Sequence, residues 1–133
     1  MNVLVDTSVW SLSLRRTAPS NHLAKLELEQ LILDGRAGMI APIRQEILSG
    51  VKTAAHFELL RDRLRAFPDI GLIVEDYEEA ARFFNTCRAK GLQGSNTDFL
   101  ICSVAARGKI PILTTDADFE RFGAILPIAL HEY

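Results

Sequence analysis

The sequence predicts an α/β fold: a three-layer sandwich in which a short, mainly parallel central sheet of four or five strands is flanked by helices. Three observations carry that expectation. Short apolar runs alternate with longer runs of helical periodicity, the pattern that right-handed crossovers and a parallel sheet produce. The first such run, Val3-Leu4-Val5, has no polar face, as a strand covered on both sides requires. The run from Asp98 to Arg107 is nearly all apolar, so a helix there must be covered on most sides.

Taken in order, Val3-Leu4-Val5 is the buried central strand and ends at Asp6. Ser8 to Arg15 reads as a short helix, followed by a loop at Thr17-Ala18-Pro19-Ser20. Between Asn21 and Asp34, the residues Leu23, Leu26, Leu28, Leu31 and Ile32 fit a helix that Gly35 stops. Met39-Ile40-Ala41 is a second small strand. Pro42 suits the first turn of the next helix, which runs to Gly50. Thr53 to Phe67 is a helix with Phe57, Leu60, Leu64 and Phe67 on one stripe, ended by Pro68. Ile70 to Val74 is a third strand. Tyr77, Ala80, Ala81, Phe84 and Cys87 mark an amphipathic helix that stops before Gly91. A polar loop, Gly91 to Asn96, leads to the apolar helix from Asp98 to Arg107. Ile110 to Thr114 is the fourth strand, Asp116 to Phe122 a short helix, and Ile125 to Leu130 a fifth strand.

With 133 residues, 48% hydrophobic and 24% charged, the chain is expected to form one domain over residues 1–133. The composition excludes disorder, collagen and disulfide scaffolds. No apolar run approaches the roughly 18–20 residues of a membrane-spanning helix. The first residues lack the basic stretch of a signal peptide, and Cys87 and Cys102 fall inside helical patterns as small buried thiols. A reducing cytoplasm is the expected location. The net charge is −2, and eleven of the fifteen bases are arginine, the better bidentate phosphate donor. The bases are dispersed, so bulk charge says little about nucleic acid.

The acids are more informative. In an open parallel sheet, ligands gather beyond the carboxyl ends of the strands. Asp6 ends the first strand, Asp116 follows the fourth within two residues, and Asp98 opens the apolar helix just before that strand. Glu46 lies about one turn into the helix after Pro42, and Asp118 is two residues past Asp116. Each has an ordinary explanation alone. Ser95 to Asp98 and Thr115 to Asp118 have capping-box spacing, acids near helix N-termini are favoured by the dipole, and Glu46 could face solvent. Together they strain that explanation, because two unit charges ~4 Å apart repel by roughly 4 kcal/mol at an effective dielectric of about 20. Such a cluster is tolerable when partly protonated or when it holds cations. Its oxygen-only chemistry suits Mg²⁺ or Mn²⁺, while the scattered His22, His56 and His131 offer no zinc spacing. Two divalent ions would take the formal charge from −2 to +2. Carboxylate-held ions of this kind serve phosphodiester hydrolysis.

Four blocks, Val3 to Trp10, Glu46 to Gly50, Thr97 to Ile101 and Leu113 to Phe119, resemble a PIN domain, most of all the VapC ribonuclease toxins of prokaryotic toxin–antitoxin pairs. The resemblance spans almost the whole chain, and the order of the blocks makes it specific. It implies that Asp6, Glu46, Asp98 and Asp116 form a catalytic quartet holding Mg²⁺ or Mn²⁺, with Asp118 as an auxiliary acid. It places hydroxyls of Thr7, Ser8 and Thr115 near metal or phosphate, though these also suit turns and caps. It further implies endonucleolytic cleavage of RNA, a homodimer, and a cognate VapB-type antitoxin that blocks the site, with DNA reached only through that antitoxin. Trp10, Leu12, Leu14 and the helix from Tyr77 to Phe84 could supply a dimer surface or belong to the core. Arg15, Arg16, Arg44, Lys52, Arg88 and Lys90 flank the site-forming loops and are the candidate RNA contacts.

Two alternatives remain open at this stage. One is a PIN-like module that binds RNA or protein without cutting. The other is a receiver-like domain that accepts phosphate at Asp76, although no lysine follows the last strand.

Overall fold

The computed structural model describes residues 2–14, 19 and 21–133. At its centre, strand β1 (Val3–Val5) pairs in parallel with β2 (Ala37–Gly38) on one side and β3 (Ile112–Leu113) on the other, giving the order β2-β1-β3. The registers are Val3 with Ala37 and Leu4 with Gly38, then Leu4 with Ile112 and Val5 with Leu113. All three residues of β1 are fully buried, which is why the run carries no polar side chain. Gly38 is required by close approach, since a Cβ there would stand 2.9 Å from the Val3 carbonyl oxygen.

Among the described residues the sheet therefore has three strands, fewer than the four or five expected. Of the run from Ile70 to Val74, none is a strand; only Asp69 forms a single parallel bridge, to Met39. Gly71 interrupts the run, and Ile73 and Val74 are exposed, so it offers no continuous apolar face to bury. Of Ile125 to Leu130, only Leu130 bridges, to Ile112. Pro127 has no N–H to offer a ladder there. The second strand also sits earlier than Met39-Ile40-Ala41, because Ala41 already begins a helix.

Helix α1 (Thr7–Leu14) packs on both α2 (Leu23–Leu33) and α3 (Ala41–Leu48), α3 meets α4 (Ala54–Leu64), and α5 (Val74–Ala89) packs along α6 (Asn96–Gly108). The short α7 (Asp118–Gly123) follows β3. Gly35, at φ 68°, ends the turn after α2 in the left-handed region that glycine adopts without cost. The expectation for α6 holds: Phe99 to Ala105 are seven consecutive buried residues. A chain of rings, Phe84–Phe99–Phe122–Phe119, with centroids 5.6, 5.0 and 5.5 Å apart, knits α5, α6 and α7. Trp10 is core: its indole N–H donates to the Val5 carbonyl at 3.1 Å and its ring meets Phe67. Cys87 and Cys102 are buried free thiols. Among the described residues, no helix is long and apolar enough to cross a membrane.

One ion pair ties the α5–α6 unit. Asp76, 2% exposed, accepts from Arg107 Nε at 2.7 Å and Nη2 at 2.9 Å, and from the Ile73 N–H at 3.0 Å. Arg107 Nη2 also reaches the Gly71 carbonyl at 3.0 Å. The start of α5 is thereby fastened to the end of α6. This engagement removes Asp76 as the exposed phosphate acceptor that a receiver-like domain would need.

Candidate active site

The acids meet because four chain segments arrive at one edge of the sheet. β1 runs directly into Asp6, whose N–H donates to the Leu113 carbonyl of neighbouring β3 at 2.9 Å. β3 continues into Thr114, Thr115 and Asp116, while α6 presents Asp98 in its first turn and α3 carries Glu46. The result is a cavity of about 360 Å³ lined by Asp6, Thr7, Ser8, Ser11, Leu12, Glu46, Asp98, Thr115 and Asp116. All four quartet acids lie on it.

Hydroxyls organise its floor. Asp6, 4% exposed, accepts on Oδ2 from the Ser8 hydroxyl and from the Thr114 hydroxyl, each at 2.8 Å. Ser8 Oγ accepts from the Thr115 N–H at 3.2 Å, and Thr114 Oγ1 from the Asp116 N–H at 3.0 Å. Asp98 completes a true capping box: its Oδ2 accepts from the Ser95 N–H at 2.9 Å, and Ser95 Oγ accepts from the Asp98 N–H at 3.1 Å. The second capping box, Thr115 with Asp118, does not form. Ala117 precedes α7 instead, and Asp116 Oδ1 takes the Asp118 N–H at 2.9 Å. Each of the three aspartates thus engages one oxygen, Asp6 with two donors and Asp98 and Asp116 with one each, while its other oxygen has no hydrogen-bond partner among the described residues.

Burial pushes the Glu46 carboxyl above its ordinary range; the nearby Thr97 side chain opposes this, and the charges of Asp98 and Asp6 reinforce it. Burial likewise raises Asp98, against the N–H and hydroxyl of Ser95 and with the charges of Asp6 and Asp116. Cys102 lies close beneath, its thiol pushed up first by burial and then by Asp98, Cys87 and Asp6. The quartet therefore forms one electrostatic unit.

These residues fit a hard divalent cation in their chemistry. The donors are all oxygen, their mutual repulsion is what such an ion relieves, and the three aspartates each keep an uncommitted oxygen. Among the described residues, no three His, Cys, Asp or Glu side chains form a ready metal-ligand group, so holding an ion would require the carboxylates to draw together.

The remaining candidates divide. Thr7 lines the cavity with a buried hydroxyl that has no hydrogen-bond partner among the described residues. Thr115 lines it and docks its N–H on Ser8. Asp118 is not in the lining; its side chain pairs with Arg121 at 2.7 Å. Arg44 is a clamp, with its guanidinium donating to the carbonyls of Leu64 at 2.8 Å and Phe67 at 2.6 Å and to Asp69 Oδ1 at 2.8 Å. That leaves it little to offer RNA. Lys52, Arg88 and Lys90 are exposed, and Arg88 lines a separate cavity with Phe84, Leu92, Gln93, Gly94 and Phe99. Arg15 and Arg16 lie outside the described residues. Thr114, Ser11 and Thr97 were not singled out from the sequence, whereas Ser95 takes the capping role its spacing to Asp98 predicted. Thr114 was absorbed into the fourth strand, and only its place two residues before Asp116, at a strand's carboxyl end, could have flagged it.

Fold and site together define an α/β domain whose parallel sheet gathers acids from four segments at its carboxyl edge. The family model for the PIN domain matches residues 3–125: the chain belongs to the PIN domain family. Among solved structures, it is similar to VapBC2 from Rickettsia felis bound to a DNA fragment from their promoter, with a TM-score of 0.77, 19% identity, and 100% of this chain and 99% of that one covered. It is also similar to FitAcB from Neisseria gonorrhoeae, with a TM-score of 0.76, 18% identity and coverage of 98% and 96%. FitAB bound to an IR36 DNA fragment matches with a TM-score of 0.74 at 18% identity, covering 97% and 93%. No curated protein sequence matches the chain.

Proposed function

We propose that this chain is a metal-dependent endoribonuclease, the toxin of a VapBC-type toxin–antitoxin pair, which hydrolyses RNA phosphodiester bonds with carboxylate-held Mg²⁺ or Mn²⁺. The observation that carries this reading is the convergence of Asp6, Glu46, Asp98 and Asp116 on one cavity, where their charges act on one another. Membership of the PIN family supports nuclease chemistry. The likeness to VapBC2 and FitAB assemblies supports a VapB-type antitoxin as partner, with DNA contacted through it.

Asp6, Asp98, Asp116 and Glu46 would hold the ion. When bound, Mg²⁺ or Mn²⁺ supplies charge neutralisation at the attacked phosphodiester and activates water. The chain's own groups have separable tasks. Asp6 is buried and doubly hydrogen-bonded, so it is the fixed point of the site. Glu46 is the most exposed of the four, so it is the carboxylate that solvent and substrate reach most readily. Asp98 sits on a helix start whose N–H groups favour anions. Lys52, Arg88 and Lys90 are the candidate phosphate contacts of the substrate. For the homodimer, exposed Val74 and Tyr77 on α5 replace buried Trp10 as contact candidates.

The test is cleavage of total RNA with Mn²⁺ present and antitoxin absent. Asp6→Asn and Asp98→Asn each abolish cleavage and host growth arrest while the circular dichroism spectrum stays that of the parent. A variant that cuts as fast as the parent removes its residue from the mechanism. A parent that cuts no RNA returns the non-cleaving alternative.

A further inference from the structure

We propose that Thr114 is a positioning residue that sets Asp6 against Asp116 for a shared divalent cation. This rests on the metal-dependent reading above and identifies what readies its site. A threonine hydroxyl has one proton to donate and lone pairs to accept with. Thr114 Oγ1 accepts the Asp116 N–H at 3.0 Å, and its proton goes to Asp6 Oδ2 at 2.8 Å. One atom therefore joins the backbone of one acid to the side chain of another, from residues far apart in the chain.

Ser8 repeats the arrangement from the other side. Its hydroxyl accepts the Thr115 N–H at 3.2 Å and donates to the same Asp6 Oδ2 at 2.8 Å. Two consecutive amides of the β3–α7 loop thus hang on two hydroxyls that converge on a single oxygen. Two consequences follow. Both donors on Oδ2 leave Asp6 Oδ1 uncommitted, and the loop carrying Asp116 cannot shift without disturbing Asp6. Hydrogen bonds to a carboxylate are the stronger kind, so the tie is firm. Thr114 is not among the residues lining the cavity, and it acts through its neighbours.

Thr114→Val keeps shape and volume while removing both the donor and the acceptor; Thr114→Ser keeps both. Mn²⁺ binding by calorimetry, on parent and variants without RNA, is the readout that a merely structural role would not move. Groups that orient metal ligands are typically worth about 10–100-fold in affinity. T114V is expected to bind Mn²⁺ at least about tenfold more weakly, with T114S within about twofold of the parent; without the ion T114V also melts below the parent, because Asp6 and the Asp116 N–H each lose a partner, while T114S melts close to it. The Mn²⁺ concentration for half-maximal RNA cleavage rises in the same proportion in T114V. If T114V binds Mn²⁺ as tightly as the parent, the proposal falls and the nuclease reading stands. If the parent itself binds none, the metal reading falls and takes this proposal with it. Should T114V not fold, Ser8→Ala carries the same test, since Ser8 donates to the same oxygen; undiminished Mn²⁺ affinity there overturns the proposal.

Discussion

Replacing Arg107 with alanine tests how α5 and α6 are held together. In the parent, buried Asp76 receives three hydrogen bonds, two of them from Arg107 at 2.7 and 2.9 Å in the bidentate geometry that makes such pairs strong. The variant leaves a carboxylate that is 2% exposed with one donor, the Ile73 N–H. Stripping one partner from a fully buried pair costs roughly 3–5 kcal/mol. Arg107 is 41% exposed, so water can partly take its place, and about 2–3 kcal/mol is the expected loss. For a chain of this size that is a fall of about 6–12 °C in Tm. Arg107→Lys keeps the charge without the fork and should fall between the two.

The pH dependence has a definite sign. Burial raises Asp76, but the hydrogen bond from Arg107, the Ile73 N–H and the Arg107 charge outweigh it and hold the carboxyl below the usual range. Its stabilising contribution is then present above the unfolded-state value of about 3.9 and is lost as pH falls through the folded value. Thermal melts followed by circular dichroism should show the gap between parent and R107A in full at pH 7 and shrinking below about pH 4. An R107A that melts within about 1 °C of the parent at pH 7 would refute the argument.

Other perturbations separate structural from chemical roles. Arg44→Ala should lower stability by about 2–3 kcal/mol, because two carbonyls and Asp69 lose their donor, and should leave RNA affinity in filter binding little changed. Gly94→Ala places a Cβ 2.8 Å from Phe122 Cζ and 3.0 Å from Phe99 Cε2, a clash of about 1–3 kcal/mol readable in urea melts. Asp98, with its raised pKa, penalises the ionised native state: without divalent ions the parent should lose stability relative to Asp98→Asn as pH rises from about 4 towards 7. Adding Mn²⁺ should reverse that order at pH 7, since only the parent keeps the full ligand set.

What the sequence revealed follows from which interactions are local. Val3-Leu4-Val5-Asp6 could be read because a two-sided burial leaves its mark on every residue of the strand, and the acid marks its end. The apolar α6 was legible for the same reason. The edges of the sheet were not, because Asp69 and Leu130 make one bridge each and a single bridge imposes no pattern. Asp98 was readable as either cap or ligand, and the structure shows the cap to be real while its second oxygen stays available. Arg44 looked like an RNA contact because its targets are carbonyls, which no side-chain pattern records. Thr114 was hidden by its neighbours, since a threonine after Ile-Leu reads as one more strand residue.

The order in which the sheet is assembled has a consequence for synthesis. The strand made first occupies the middle, and the partner on its far side is supplied only around residue 112. Until that stretch has left the ribosome, Asp6 lacks both the Thr114 donor and the companionship of Asp116. A fragment that stops short of residue 112 therefore carries the first acid but no pocket, so the acidic cavity is assembled only once β3 and the loop after it are in place.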